Sequence, residues 1–182
     1  MSGTRARANT TPGAVIPPGL SSGIFVTAES QRTPDPGISL EVEAARITDM
    51  EQAFADLEQS MEDHYADAYL PWVRELALCA DEILVARTRA AIMFADHVIK
   101  VPLNGEGELA NMLEEDHHVK EGKTGYIPIA DCEIILLGEH PALRMERVVP
   151  VTSHKGLPGW ADFVDCRQVG YDRDGVLVAY DL

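Results

Sequence analysis

Apolar residues from Ile47 onward recur at intervals of three and four: Ile47, Met50, Phe54, Leu57, Met61, His64 and Ala68. That spacing lays one stripe along a helix of about six turns. Thr48 followed by Glu51 has the spacing of a capping box, in which each side chain satisfies a free backbone N–H of the first turn, so the helix is expected to start there. Pro71 should break or kink it, because proline supplies no N–H and crowds the preceding turn. Beyond it Trp72, Leu76, Cys79, Ile83, Ala86, Ala90, Met93 and His97 form a similar stripe. Its polar residues, Arg74, Glu75, Asp81, Glu82, Thr88, Arg89 and Asp96, make a narrow band, so the second helix should be the more buried of the two. The pattern predicts a helical hairpin turning near Leu70 and Pro71, or one kinked helix, over residues 48–100. Residues 101–125, with Pro102, Asn104, Gly105, Gly107, Gly122 and Gly125, should be loop around a short helix from Glu108 to Glu115.

From Tyr126 the period changes to that of strands. Ile127, Ile129, the run Ile134 to Leu137, Leu143 to Val151, Phe163 to Val169 and Val176 to Tyr180 are short apolar or alternating runs between turn residues. They predict four or five strands in a mostly antiparallel sheet. Asp174 and Gly175 suit a two-residue type I′ turn, since both tolerate positive φ. Helices first and strands afterwards argue for an α+β fold over residues 40–182 and against a doubly wound nucleotide-binding sheet.

Residues 1–39 read differently. Prolines at 12, 17, 18, 34 and 36 forbid regular helix, and the composition is that of an extended arm. Yet Val15, Ile16, Leu20, Ile24, Phe25 and Val26 are apolar residues for which a flexible linker has little use. The run from Gly23 to Ala28 is expected to add to a sheet edge of its own chain or of a neighbouring copy.

Composition narrows the classes of partner. Apolar residues make up 46% of the 182 and charged residues 25%, as in globular domains. The net charge of −15 is uneven: residues 1–28 carry only Arg5 and Arg7, leaving 13 basic against 30 acidic groups beyond, a net of −17. Such a body repels nucleic-acid backbone and favours basic protein partners. Cys79, Cys132 and Cys166 are too few and too scattered for a disulfide framework, which points to a reducing, cytoplasmic setting. No signal peptide is expected, and the most apolar stretch, Ala90 to Ile99, is cut by Asp96 and His97, which argues against a membrane span.

Candidate chemistry is sparse. Glu114, Asp116, His117 and His118 form the densest group of potential metal ligands, although neighbours on a loop point apart and few of them can reach one ion. His64 and His97, placed far apart in the expected hairpin, cannot share a metal. Gly122, Lys123 and Thr124 resemble the end of a phosphate-binding loop, but its leading glycine would fall at His117 and a strand follows where a helix should. Cys132 and Cys166 in strands read as small buried hydrophobes sooner than nucleophiles. Trp160, in the loop Gly156 to Trp160, suits either a recognition surface or a lid on the core. No cofactor is expected.

With no catalytic motif, the sequence favours a structural or assembly protein whose arm, through Leu20, Ile24, Phe25 and Val26, docks on another copy, with Trp160 as a further contact. The alternatives are a small metal- or cysteine-dependent enzyme at the junction of helices and sheet, and an acidic inhibitor of a basic partner.

Overall fold

A computed structural model describes residues 40–181, with side chains from residue 45 onward. The expected arm, with Leu20, Ile24, Phe25 and Val26, lies outside the described residues. Helix α1 (Leu40–Ser60) begins upstream of Thr48, so Thr48 and Glu51 stand inside the helix and not at its cap. Helix α2 (Asp63–Ala77) follows after Met61 and Glu62. It brings Arg74 back over the Phe54 ring, 5.2 Å from its centre, and to 3.8 Å from Glu58. A helical hairpin therefore exists, but it turns at Met61 and Glu62 instead of Leu70 and Pro71. Pro71 lies inside α2, tolerated because Tyr65, Tyr69, Val73 and Leu76 are buried on both sides of it and outweigh the single lost hydrogen bond.

The second helix expected from Trp72 through His97 stops at Ala77, the end of α2. The residues beyond make an antiparallel meander of β1 (Glu82–Val85), β2 (Arg89–Met93) and β3 (His97–Pro102). Alanines at 86, 90 and 91 imitated helical spacing, whereas the β-branched residues Ile83, Val85, Ile92, Val98, Ile99 and Val101 carry the true preference. Ile83, Ile92 and Ile99 stand opposite one another across the three strands and point to one face.

Helix α3 (Gly105–Lys120) replaces most of the expected loop region and outruns the Glu108 to Glu115 stretch at both ends. Asn104 caps it, its side-chain oxygen accepting from the Gly107 N–H at 3.1 Å. Gly107 allows the first turn to press on the β1–β2 turn: a Cβ there would lie 2.0 Å from the Thr88 carbonyl oxygen, a clash between two backbones that neither can relieve.

β4 (Cys132–Leu137) and β5 (His140–Glu146) complete a five-stranded antiparallel sheet in the order β1-β2-β3-β5-β4. The chain then crosses into a second sheet of β6 (Val149–Pro150), β7 (Val169–Tyr171) and β8 (Leu177–Ala179). Of the expected strand from Phe163 to Val169 only its last residue belongs to a strand; most of the rest lies in 3₁₀ turns at Gly159–Phe163 and Asp165–Arg167. Ile129 contributes a single parallel bridge to Ala179.

The final hairpin is where the sequence put it, with different turn geometry. Its loop is Arg173, Asp174 and Gly175, and Gly175 alone has positive φ, at 77°. Asp172 Oδ1 accepts from the N–H groups of Asp174 and Val176 at 2.9 and 2.8 Å, so the aspartate before the turn organises it.

The fold is thus α+β. One face of the large sheet, through Ile83, Ile92, Ile99, Ala142 and Ile135, packs on α1 and α2 around Leu57, Tyr69 and Val73. The other face, through Leu143 and Met145, packs on Val178 of the small sheet, and Cys132 and Lys100 there meet α3. Among the described residues no helix is long and apolar enough to cross a membrane.

Candidate functional site

A lysine in the middle of an apolar strand must find an acid or leave the core. Lys100 stands between Ile99 and Val101 on β3 and points to the α3 side of the sheet, where its Nζ donates to Glu114 Oε2 at 2.8 Å. Glu114 on α3 is 1% exposed, and its other oxygen accepts from Arg89 Nη1 at 2.6 Å. Arg89 opens β2. The same Nη1 reaches Asn111 Oδ1 at 3.4 Å, and Asn111 Nδ2 in turn donates to the Lys100 carbonyl at 3.0 Å, which fixes the helix against the strand.

The fourth member comes from the end of the small sheet. Asp181 follows β8; its Oδ1 accepts from Arg89 Nη2 and, at 3.3 Å, from Lys100 Nζ, which also donates to the Tyr180 carbonyl at 2.8 Å. Two cations and two acids thus hold one another in a formally neutral cluster. Burial pushes the Glu114 carboxyl above its ordinary value, opposed by Lys100. Burial pushes Asp181 the same way, but a hydrogen bond with Glu114, followed by the charges of Lys100 and Arg89, overcomes it and holds this carboxyl below its usual range. Asp181 is 34% exposed, so of the two acids it is the one that solvent reaches.

Arg89, Lys100 and Asp181 of the cluster line a cleft of about 550 Å³, which Glu146, Arg147 and Gln168 also line. The walls are mostly apolar: Leu84 from β1, Ala91 and Met93 from β2, Val98 from β3, Met145 from β5, and Val148 from the crossing between the sheets. An apolar slot of this size with a few converging charged groups is the ordinary form of a small-molecule site.

A second ionic group pins the small sheet at its other end. Lys123 meets Asp172 at 2.8 Å, Glu146 at 3.0 Å and Asp131 at 3.2 Å. Burial alone would lower the Lys123 pKa, but hydrogen bonds to the three carboxylates raise it. Burial pushes Asp172 up, and Lys123 together with the amides of Val176 and Asp174 reverses this and holds it below its ordinary value. The Gly122–Thr124 segment, which resembles part of a phosphate loop in sequence, is a 3₁₀ turn whose lysine is a structural cation.

The residues singled out as metal ligands are dispersed. Glu114 belongs to the buried cluster, Asp116 pairs with Lys120 at 2.5 Å, and His117 is exposed. His118 lines a separate cleft of about 620 Å³ with His97, Asp131 and Arg173, and its Nδ1 has no hydrogen-bond partner. Among the described residues no three His, Cys, Asp or Glu side chains are grouped to hold a metal ion. His64 is exposed beside Glu62, and His97 stacks on Phe94 with ring centres 4.5 Å apart. The Cys132 thiol is pushed up to about 12, first by burial and then by Glu114, which leaves it protonated and inert. Trp160 is partly buried against the cluster of Ala161, Val164, Val169 and Ala179.

Arg89, Lys100 and Asp181, three of the four members of the central cluster, were not singled out from sequence. The available signal was the lone lysine in Val98 to Val101, a charge that only a buried partner explains. No protein-family model matches the chain, and no curated protein or solved structure matches it.

Proposed function

We propose that the cleft binds a nucleoside polyphosphate together with Mg²⁺. The observation that carries this reading is Lys100 paired to Glu114 beside Asp181, with Lys100 and Asp181 both lining a mostly apolar cleft. Protein kinases use the same parts in the same chain order: a lysine on the third strand that reaches the phosphates, a glutamate on the next helix that orients it, and an aspartate after a later hairpin that carries the metal. Leu84, Ala91, Val98 and Met145 supply flat apolar walls for a heteroaromatic base. Glu114 would keep the ammonium extended, and Asp181 would exchange its ion pairs for Mg²⁺, a hard cation that takes carboxylate and phosphate oxygens together. The proposal concerns binding and not transfer, since the His-Arg-Asp catalytic loop of those enzymes has no counterpart in the 182 residues.

Thermal unfolding and calorimetry of the full chain test it. A hundredfold excess of Mg·ATP over its Kd should stabilise the fold by about 2.7 kcal/mol. An unchanged melting curve at millimolar nucleotide would end the proposal.

Assembly stands as a second reading, favoured by a different observation. Helix α3 exposes Leu109, Met112, Leu113 and Val119, an apolar set on a helix whose opposite side is fixed to the sheet. Light scattering of the full chain should give a mass above that of one copy, reduced when residues 1–39 are removed. A single-copy mass for both would leave the reading without support.

A further inference from the structure

Asp181 Oδ1 lies between a guanidinium and an ammonium, accepting from Arg89 Nη2 and from Lys100 Nζ. Displacing Glu114 would take from each cation its buried partner and leave the two sharing the partly exposed Asp181, because each Glu114 oxygen serves one of them. Asp181 can be displaced, since it is partly exposed and opens onto the cleft. A carboxylate oxygen shared by two cations occupies the position that a phosphate oxygen takes between the same groups.

The turn beside it strengthens the point. Glycine-rich turns over phosphates work by presenting bare backbone N–H groups to the ligand. Here the β1–β2 turn is Arg87 and Thr88, without glycine. It is held at the start of α3: the Thr88 carbonyl accepts from Leu103, between β3 and the helix cap, at 2.9 Å and lies under Gly107 of the first turn. Such a turn offers little to a phosphate, and the residue immediately after it is Arg89.

From this geometry we infer that Arg89 is the second phosphate-binding cation of the cleft, and that Asp181 Oδ1 marks the seat of a ligand phosphate oxygen. The assignment rests on the nucleotide reading above. An arriving phosphate takes the place of the aspartate between Arg89 and Lys100, and the released carboxylate is left to Mg²⁺. No bond is made or broken; one anion replaces another on the same pair of cations. The ligand class is correspondingly narrow: a base for the apolar walls, and at least one phosphate able to reach both cations.

The test is calorimetry on the full chain with metal-free ATP and with adenosine. The wild-type protein should bind ATP more tightly than adenosine. Arg89→Ala should lower ATP affinity about tenfold or more while adenosine affinity changes less than about twofold. Asp181→Asn should have the opposite sign, raising metal-free ATP affinity several-fold by removing the competing negative charge. If Arg89→Ala does not fold, Arg89→Gln, which drops the charge but keeps a donor, is expected to show the same split. Equal losses on ATP and adenosine, no loss on either, or weaker ATP binding by Asp181→Asn would overturn the assignment. Wild-type protein that binds adenosine as tightly as ATP overturns it and leaves the cleft as a nucleoside site, whereas binding of neither defeats the nucleotide reading as well.

Discussion

Replacing Glu114 with alanine will lower the unfolding free energy by about 3–5 kcal/mol, the largest effect of any single substitution in the central cluster. The side chain is 1% exposed and each of its oxygens holds a different cation. Its removal strands Lys100 and Arg89 with only Asp181 between them. Glu114→Gln keeps one acceptor oxygen and should lose less, about 1–3 kcal/mol, because the charge disappears while one hydrogen bond persists. Urea titration of both variants reads the difference. A loss below about 1 kcal/mol for the alanine variant would mean that water reaches the cations and that the cluster is not buried in solution.

Lys123→Met is the second large effect, and its dependence on pH distinguishes it from the first. The substitution leaves Asp172, Glu146 and Asp131 facing one another, with the Asp172 side chain fully buried. At pH 7 the expected loss is about 2–4 kcal/mol. In the wild-type protein Asp172 is held below its ordinary value, so its contribution is present above the unfolded carboxylate pKa and is lost as pH falls through the folded one. Lys123, held above its ordinary value, contributes fully below the unfolded lysine pKa and loses that contribution at strongly alkaline pH. The deficit of the variant should therefore be widest between those limits and shrink toward pH 4, where protonation relieves the repulsion among the acids. Urea melts at pH 4, 7 and 9 would show it, and a deficit that grows in acid would contradict the assigned ion pairs.

These two clusters also explain what could be read from the sequence and what could not. The strand through Ile134 to Leu137 and the closing hairpin were legible because their apolar runs end at glycine and aspartate turns, whereas the run from Phe163 to Val169 is mostly 3₁₀ turn. The meander of β1 to β3 was not legible. Its two turns, Arg87 with Thr88 and Ala95 with Asp96, contain no glycine and no residue of positive φ, so nothing punctuated the segment. Alanines filled the gaps with an apparent helical period. That error hid the site, because Arg89 and Lys100 fell in a supposed helix where surface charge needs no explanation. Glu114 was noticed, but as one acid among neighbours in sequence. Its real partners lie 14 and 25 positions earlier in the chain, joined to it only once the sheet is formed. Asp172, which organises the last turn, meets Lys123 49 positions earlier in the chain, and no local pattern announces that pairing.

The contact of Gly107 with the Thr88 carbonyl couples parts that are distant along the chain. The helix that bears Glu114 starts on the very turn from which Arg89 emerges, so tilting one drags the other. A ligand of the proposed kind that shifted Arg89 would press on the first turn of α3, the helix that also bears the bare Leu109 and Met112, through a space that only a hydrogen atom can fill.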